Sequence, residues 1–383
     1  MALATVFTLQ QVYDKQLSGE WPTQVYAPPP SYLWTWGRNN NGLLGLGNAT
    51  DYSSPKQVGS LTTWLKVSAG NYYHALAIKT DGTLWSWGVN TFGQLGQGNT
   101  TGYSSPTQIG SLNNWADVVA GNGFAVARKT DGTLWSWGRN YRYGLGLGDS
   151  TNRSSPVQIG SATNWLKIAA GSYHAFAINT SGSLYGWGSI QFGQVGHGYS
   201  NPNAGGGEST PSQIAGTWSE VSASSTRHSL GIKSNGTLWA WGGGYAEALG
   251  LGNTTNYSSP KQVGALTTWI GIAAGQYNNL AVKTDGTLWA WGSNYDGVLG
   301  LGDTGARNSP VQVGALTNWS TSISINRHAS AIKTNGTLWT WGRNDYGQVG
   351  DGSTVARNSP VQIGSSTNWT NVSVDGYTTL AVG

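Results

Sequence analysis

The 383-residue sequence predicts an all-β protein, a seven-bladed β-propeller of four-stranded blades, on three observations. A Leu-Trp-x-Trp-Gly string recurs with its leucine at Leu33, Leu84, Leu134, Leu184, Leu238, Leu288 and Leu338, spaced 51, 50, 50, 54, 50 and 50 residues apart. No stretch sustains a 3.6-residue apolar period, whereas short alternating runs bounded by glycine recur throughout. Finally, Ala381-Val382-Gly383 lies within a strand that elsewhere leads through a hairpin into the next Leu-Trp, and Leu33 has no such strand before it. The terminal strands are therefore expected to share one blade, which closes the ring and leaves no open sheet edge.

Each repeat carries the same elements in the same order. In the second unit the expected strands are Leu84–Gly88, Thr107–Gly110, Ala116–Ala120 and Phe124–Lys129. Thr130-Asp131-Gly132 then supplies a tight turn, since glycine accepts the positive φ that a hairpin requires. Strand alternation puts Trp85 and Trp87 on one face and Leu84 on the other, so both faces of a blade are buried. A Leu-Gly-x-Gly column follows, from Leu44-Gly45-Leu46-Gly47 to Val349-Gly350-Asp351-Gly352, then a proline column that includes Pro55, Pro106 and Pro360. One further tryptophan per unit stands at Trp64, Trp115, Trp165, Trp218, Trp269, Trp319 and Trp369. Twenty of the 21 tryptophans fall in these columns, and only Trp21 lies outside. Each large aromatic buries about 150–250 Å², enough to fill seven interfaces with few charges.

Composition narrows the function. Charged residues make up 9% of the chain, against roughly 25% in an average soluble domain, yet the wealth of aromatics excludes disorder. There is no apolar run of about 18 residues to make a membrane-spanning helix, and Met1 to Gln10 lacks the pattern of a secretory signal. Without cysteine there is no disulfide framework, thiolate metal site or thiol nucleophile. The net charge of +4 comes from scattered cations, the largest local pair being Arg128–Lys129, so nucleic-acid binding through clustered phosphate contacts is not expected.

Candidate chemistry is sparse. His74, His174, His228 and His328 share one repeat position, which holds Phe124, Asn278 and Thr378 in other units. Equivalent positions spread around a propeller axis, while a zinc ion needs ligands converging at about 2 Å, so these histidines are expected to pack and hydrogen-bond. His197, in a Gly-x-Gly turn, is expected to be a solvated loop residue. The Gly-x-Gly pairs lack the third glycine and following helix of a phosphate cradle. Asp81, Asp131 and Asp285 fall in hairpin turns, which aspartate stabilises. No catalytic, cofactor-binding or metal-ligating residue is assigned, and no cofactor is expected.

Departures from the repeat carry the binding candidates. Rim contacts are expected from Tyr52, Tyr103 and Tyr257, and from the longer loop of the fourth unit through Tyr199, Asn201, Asn203 and Glu208. Residues 1–32 precede the propeller of 33–383 as an arm with apolar anchors and a stiff Pro28-Pro29-Pro30 spacer. Tyr13, Trp21 and Tyr26 are its expected docking residues.

The repeat resembles that of the regulator-of-chromosome-condensation family. Trp87-Gly88-Val89-Asn90-Thr91-Phe92-Gly93-Gln94-Leu95-Gly96-Gln97-Gly98 matches its signature, as do Ala69-Gly70 with His74 and Ala170-Gly171 with His174. The resemblance implies the propeller fold. The founding eukaryotic member is a nucleotide-exchange factor for a small GTPase and binds chromatin, but no motif here matches an exchange surface, and Lys15 is the sole cation of residues 1–32. The low-charge, nearly identical repeats look like bacterial and tailed-phage forms. They imply a non-enzymatic virion component, exposed on the particle, that docks on other virion proteins through its arm and meets host glycan or protein through its rim. A lectin-like propeller, or a cellular scaffold of exchange-factor type, is the alternative.

Overall fold

The computed structural model describes residues 30–71, 74–201 and 206–383. The chain divides into two compact units, Met1–Pro30 and Ser31–Gly383. Tyr13, Trp21, Tyr26 and Asn203 lie outside the described residues. The second unit is all-β and forms the expected ring of blades. Among the described residues its helical structure amounts to three short 3-10 turns, Tyr141–Tyr143, Tyr245–Glu247 and Tyr295–Gly297.

Blade 1 consists, from the axis outward, of Trp64–Gly70, His74–Lys79, Leu84–Gly88 and Tyr103–Gln108. Blade 2 repeats this with Trp115–Ala120, Phe124–Lys129, Leu134–Gly138 and Arg153–Gln158. Blades 3 and 4 form one continuous seven-stranded sheet, because the single strand Gly207–Ala223 is both the outer strand of one and the inner strand of the next. Blade 5 starts at Trp269 and blade 6 at Trp319. The seventh blade joins the ends, with Asn371–Val374 and Thr378–Val382 inside and Leu33–Gly37 and Tyr52–Gln57 outside. Leu33 pairs with Val382 and Gly37 with Thr378, so the expected shared blade is present. Ser31 and Tyr32 also belong to the ring, their N–H groups donating to the carbonyls of Thr62 and Gly383 at 2.9 and 2.8 Å.

One expected element shifts. The outer strand of blade 1 spans Tyr103–Gln108 rather than Thr107–Gly110 and contains Pro106. Proline reads in sequence as a break, but an edge strand tolerates it because the missing N–H faces away from the ladder.

Neighbouring blades are held by one repeated contact. The second tryptophan of each motif is fully buried at Trp36, Trp87, Trp137, Trp187, Trp241, Trp291 and Trp341. Each donates its indole N–H to a backbone carbonyl in the loop of the preceding blade: Trp36 to Gln348, Trp87 to Leu43, Trp137 to Gln94, Trp187 to Gly144, Trp241 to Gln194, Trp291 to Ala248 and Trp341 to Val298, at 2.6–3.2 Å. The glycine of the Leu-Gly column lies against that ring. At Gly96, φ is +68°, and a Cβ there would stand 2.9 Å from the Trp137 indole nitrogen. Leu76, Ile78 and Leu84 leave the opposite face of blade 1 to pack on Trp115 and Trp137 of blade 2.

Near the axis, hydroxyls cover the inner strand edges. Ala69, Ala120, Ala274 and Val374 each donate a backbone N–H at 3.0 Å to Ser373, Ser68, Ser222 and Ser324 of the adjacent blade. Ion pairs Lys66–Asp117 and Lys167–Glu220 join neighbouring inner strands.

These contacts predict a graded response to added methyl groups. Gly96→Ala meets both a left-handed backbone and the Trp137 ring, whereas Gly110→Ala has φ +58° and open space around it. The left-handed penalty is about 1–2 kcal/mol in each. Urea denaturation should show Gly96→Ala losing at least about 1 kcal/mol more than Gly110→Ala; equal losses would contradict the tryptophan–glycine clamp.

Candidate functional site

Strand direction sorts the loops onto two ends of the ring. Gly88 pairs with His74 and Leu84 with Ile78. The loop after each Trp-Gly and the turn before each histidine position therefore share one end. The Lys-Thr-Asp-Gly turns share the other.

The first end carries an arginine–aromatic face. Arg139 lies over Phe92 and Tyr141 at 4.7 and 4.8 Å, Arg227 over Phe192 at 4.3 Å, and Arg38 over Tyr346 and Tyr377 at 4.8 and 5.3 Å. Arg327 lies over Tyr377 at 4.8 Å, donates to the Tyr377 hydroxyl, and donates its Nε–H to Gln276 at 3.1 Å. Arg343 bonds Asp345 and stands 4.0 Å from Asp296. Stacking engages the planes of these guanidiniums and leaves their edges to donate N–H bonds, as Arg327 and Arg343 do. A depression of about 660 Å³ opens between blades 4 and 6, lined among others by Arg227, Arg327, Arg343, Tyr245, Tyr277 and Tyr295. Tyr295 and Tyr245 are 79% and 64% exposed.

The backbone under this face is strained. The five non-glycine residues with positive φ among those described are Arg142, Tyr143, Ala246, Glu247 and Asp296, all within the 3-10 turns of these loops. Tyr143 and Glu247 occupy a slot that holds glycine in the other units. Such strain collects at binding surfaces, where the surrounding structure enforces it.

Below this face lie the repeated histidines, all fully buried. Three of them bond the neighbouring blade through Nε2: His174 with the Ser229 hydroxyl at 3.0 Å, His228 with Asn279 Oδ1 at 2.8 Å and His328 with the Thr379 hydroxyl at 2.7 Å. Ser229 and Thr379 in turn donate to the carbonyls of Gln194 and Gln348, so each imidazole feeds an interblade relay. These three histidines are therefore interblade links. Among the described residues no three His, Asp or Glu side chains gather to hold a metal ion. Burial lowers the histidine pKa values to about 4 for His74 and His228 and about 3 for His174 and His328. Asp375, buried beneath Arg38 and Arg327, is raised to about 6 by burial, opposed by N–H bonds from Tyr377 and Thr378.

The sequence candidates fall at the periphery of this end. Tyr52, Tyr103 and Tyr257 open the outer strands of three different blades, and each hydroxyl accepts from an asparagine of its own loop: Asn48, Asn99 or Asn253, at 3.2–3.4 Å. They tie loops to blade edges and do not converge. Tyr199 is exposed and stacks on His197 at 6.2 Å. His197 is not a freely solvated loop residue: its Nε2 lies 3.0 Å from the Ser212 carbonyl. The N–H of Asn201 donates to the Ile190 carbonyl at 3.3 Å, and Glu208 sits in a strand opposite Gly188. The arginine–aromatic face was missed in sequence because its members occupy different repeat columns. The available signal was the residue after Trp-Gly, which is arginine at Arg38, Arg139 and Arg343.

A family model described as the RCC1-like domain matches residues 30–271, and regulator of chromosome condensation (RCC1) repeat models match residues 285–330 and 335–382. Among solved structures, yeast RCC1 (Prp20), seen bound to Kap60, aligns with a TM-score of 0.82 at 20% identity over 93% of this chain and 89% of that one. Human WBSCR16 aligns with a TM-score of 0.80 at 18% identity over 92% and 98%. Over shorter stretches, an RCC2 homolog of Danio rerio is 43% identical across 70 residues, which is 18% of this chain and 14% of that protein. The ultraviolet-B receptor UVR8 of Arabidopsis thaliana is 36% identical across 78 residues, 20% of this chain and 18% of its own length.

The buried histidines predict acid sensitivity. Below about pH 6.5 the unfolded chain takes up protons that the folded histidines refuse until pH 3–4, so stability falls as pH drops, by up to about 1.4 kcal/mol per histidine per pH unit. Asp375 acts oppositely between about pH 4 and 6, since its folded form holds a proton the unfolded chain has lost, but it is one group against four. The double variant His174→Phe with Ser229→Ala copies the Phe124–Ala175 solution already present between blades 2 and 3. Urea melts at pH 7 and pH 5 should show about a quarter of the histidine-linked loss removed; an unchanged loss would contradict the assignment.

Proposed function

Since the chain belongs to the RCC1-like domain family of β-propellers, we propose that it is a non-enzymatic interaction protein of the cell that grips a protein partner on its arginine–aromatic face. One observation carries this reading: Arg227 and Arg327, stacked on Phe192 and Tyr377, line a 660 Å³ depression. Arginine and tyrosine are the residue types that dominate interface energetics, and an acidic segment complements Arg227 and Arg327. The face also differs from blade to blade, which suits a single asymmetric protein ligand better than seven equal glycan sites. The structural neighbours include Prp20p, described with its binding to Gsp1p and histones. The relatives described above are animal, plant and yeast proteins, so the reading as an exposed phage component gains no support from them. Docking through residues 1–32 belongs to that earlier expectation and is a separate proposal.

The test is affinity capture followed by crosslinking, with the intact chain as bait. A combined Arg227→Ala, Tyr295→Ala and Arg327→Ala variant should keep its melting temperature within a few degrees and bind the captured partner at least about 30-fold more weakly, the equivalent of one hot-spot residue. Substituting Tyr52, Tyr103 and Tyr257 together should leave capture intact. The reverse pattern would move the binding surface to the outer rim.

A further inference from the structure

The opposite end of the ring repeats a different cation–aromatic device, and two of the seven blades lack its cation. In blade 1, the Lys79 amine sits 3.7 Å from the centre of the Trp85 ring and 5.0 Å from that of Trp64, inside the corner those two rings make. Lys129, Lys233, Lys283 and Lys333 occupy the same corner in blades 2, 4, 5 and 6, at 3.5–3.8 Å from Trp135, Trp239, Trp289 and Trp339. In blade 3 the position is Asn179, which caps its own turn by accepting from Ser181 and Ser183.

In the closing blade the corner is built from Trp34 and Trp369, with ring centres 6.2 Å apart at 68°, much like Trp64 and Trp85 at 5.9 Å and 73°. The lysine position holds Gly383, one residue beyond the Leu33–Val382 pair just as Lys79 is one beyond Leu84–Ile78. A Cβ on Gly383 would lie 2.6 Å from the Trp369 ring. A cavity of about 820 Å³ is bounded by Trp34, Trp369, Tyr32, Gly383 and Asp351, where the lysine-filled corner of Trp319 and Trp339 adjoins one of about 290 Å³. Asp351 stands where the other units carry Leu46, Leu147, Leu251 and Leu301, with Gln97 and His197 in the remaining two. Its carboxylate accepts from Arg357 at 2.6 Å, so the polar wall of the cavity is an ion pair. Like its counterparts Trp34 is half-buried, and among the described residues no cation lies over its ring and no hydroxyl accepts its N–H as Thr83 accepts that of Trp85.

We propose that this corner receives the side chain of a lysine presented by a partner chain, completing in trans the contact that five blades complete in cis. The occupant is argued from those five blades: the same pair of rings accepts a linear alkyl stem with a terminal ammonium, and a desolvated aromatic corner favours a cation over a neutral chain of equal length. The site lies at the end opposite the arginine–aromatic face, so it adds to the reading above and does not depend on it.

The experiment uses the full-length chain labelled with ¹⁵N in its tryptophan indoles, titrated at neutral pH with Nα-acetyl-lysine-N-methylamide. The Trp34 indole signal, identified by its loss in Trp34→Leu, should shift saturably. The neutral isostere Nα-acetyl-norleucine-N-methylamide should bind about tenfold more weakly. Trp34→Leu should abolish the saturable response at Trp369. Equal binding of the two compounds, no saturable shift, or equal shifts at Trp85 and Trp135, whose corners are already filled, would each overturn the proposal.

Discussion

The hydrogen bond from a buried indole to the carbonyl of the preceding blade is the constraint on which the ring depends. It recurs at all seven interfaces, from Trp36 on Gln348 to Trp341 on Val298. Each donor is fully buried, so losing its acceptor would leave an N–H uncompensated, at a cost of about 1–3 kcal/mol in addition to any packing lost. The contact also dictates residues that never touch it in sequence. The glycine of each Leu-Gly pair must turn left-handed and present no Cβ to the ring, and the leucine or valine before it is buried in the same interface. Because the first and last strands of the ring share the seventh blade, the clamp runs unbroken around the ring.

The polar relays follow the same logic of pairing across blades. His174, His228 and His328 meet Ser229, Asn279 and Thr379, while Phe124 meets the small Ala175. Neither ring nitrogen of His74 has a hydrogen-bond partner among the described residues. Partner and histidine thus change together in three interfaces, which explains how a column of imidazoles persists without a metal-like convergence. Neutral imidazoles and a largely apolar interior keep the charge at the surface, in agreement with a chain of only 9% charged residues.

Against this regular interior, the two ends differ in kind. One end relaxes the repeat: glycine slots become Tyr143 and Glu247, exposed tyrosines gather, and arginines stack on rings contributed by neighbouring loops. Departure from local rules at positions where the fold itself does not require it marks a surface shaped by something other than folding. The other end keeps the repeat in five blades, with lysine set between two aromatic rings, and departs from it in blade 3 and where the ring closes.

The sequence by itself determined the blade number, the shared closing blade and the opposite facing of Leu84 from Trp85 and Trp87, because periodicity and strand alternation are local properties written in the order of residues. It also assigned the histidines to packing, from the geometry of equivalent positions around an axis. Tertiary structure alone decided the rest. Pro106 entered an edge strand, which depends on what lies beside the strand. Tyr52, Tyr103 and Tyr257 proved to be tied to their own loops, and His197 was covered by Ser212 and Tyr199. The arginine–aromatic face joins Arg139 with Phe92, and Arg38 with Tyr346, residues from different repeats and different columns. Their meeting depends on curvature and ring closure, which bring distant loops to one surface and leave no periodic trace in the chain.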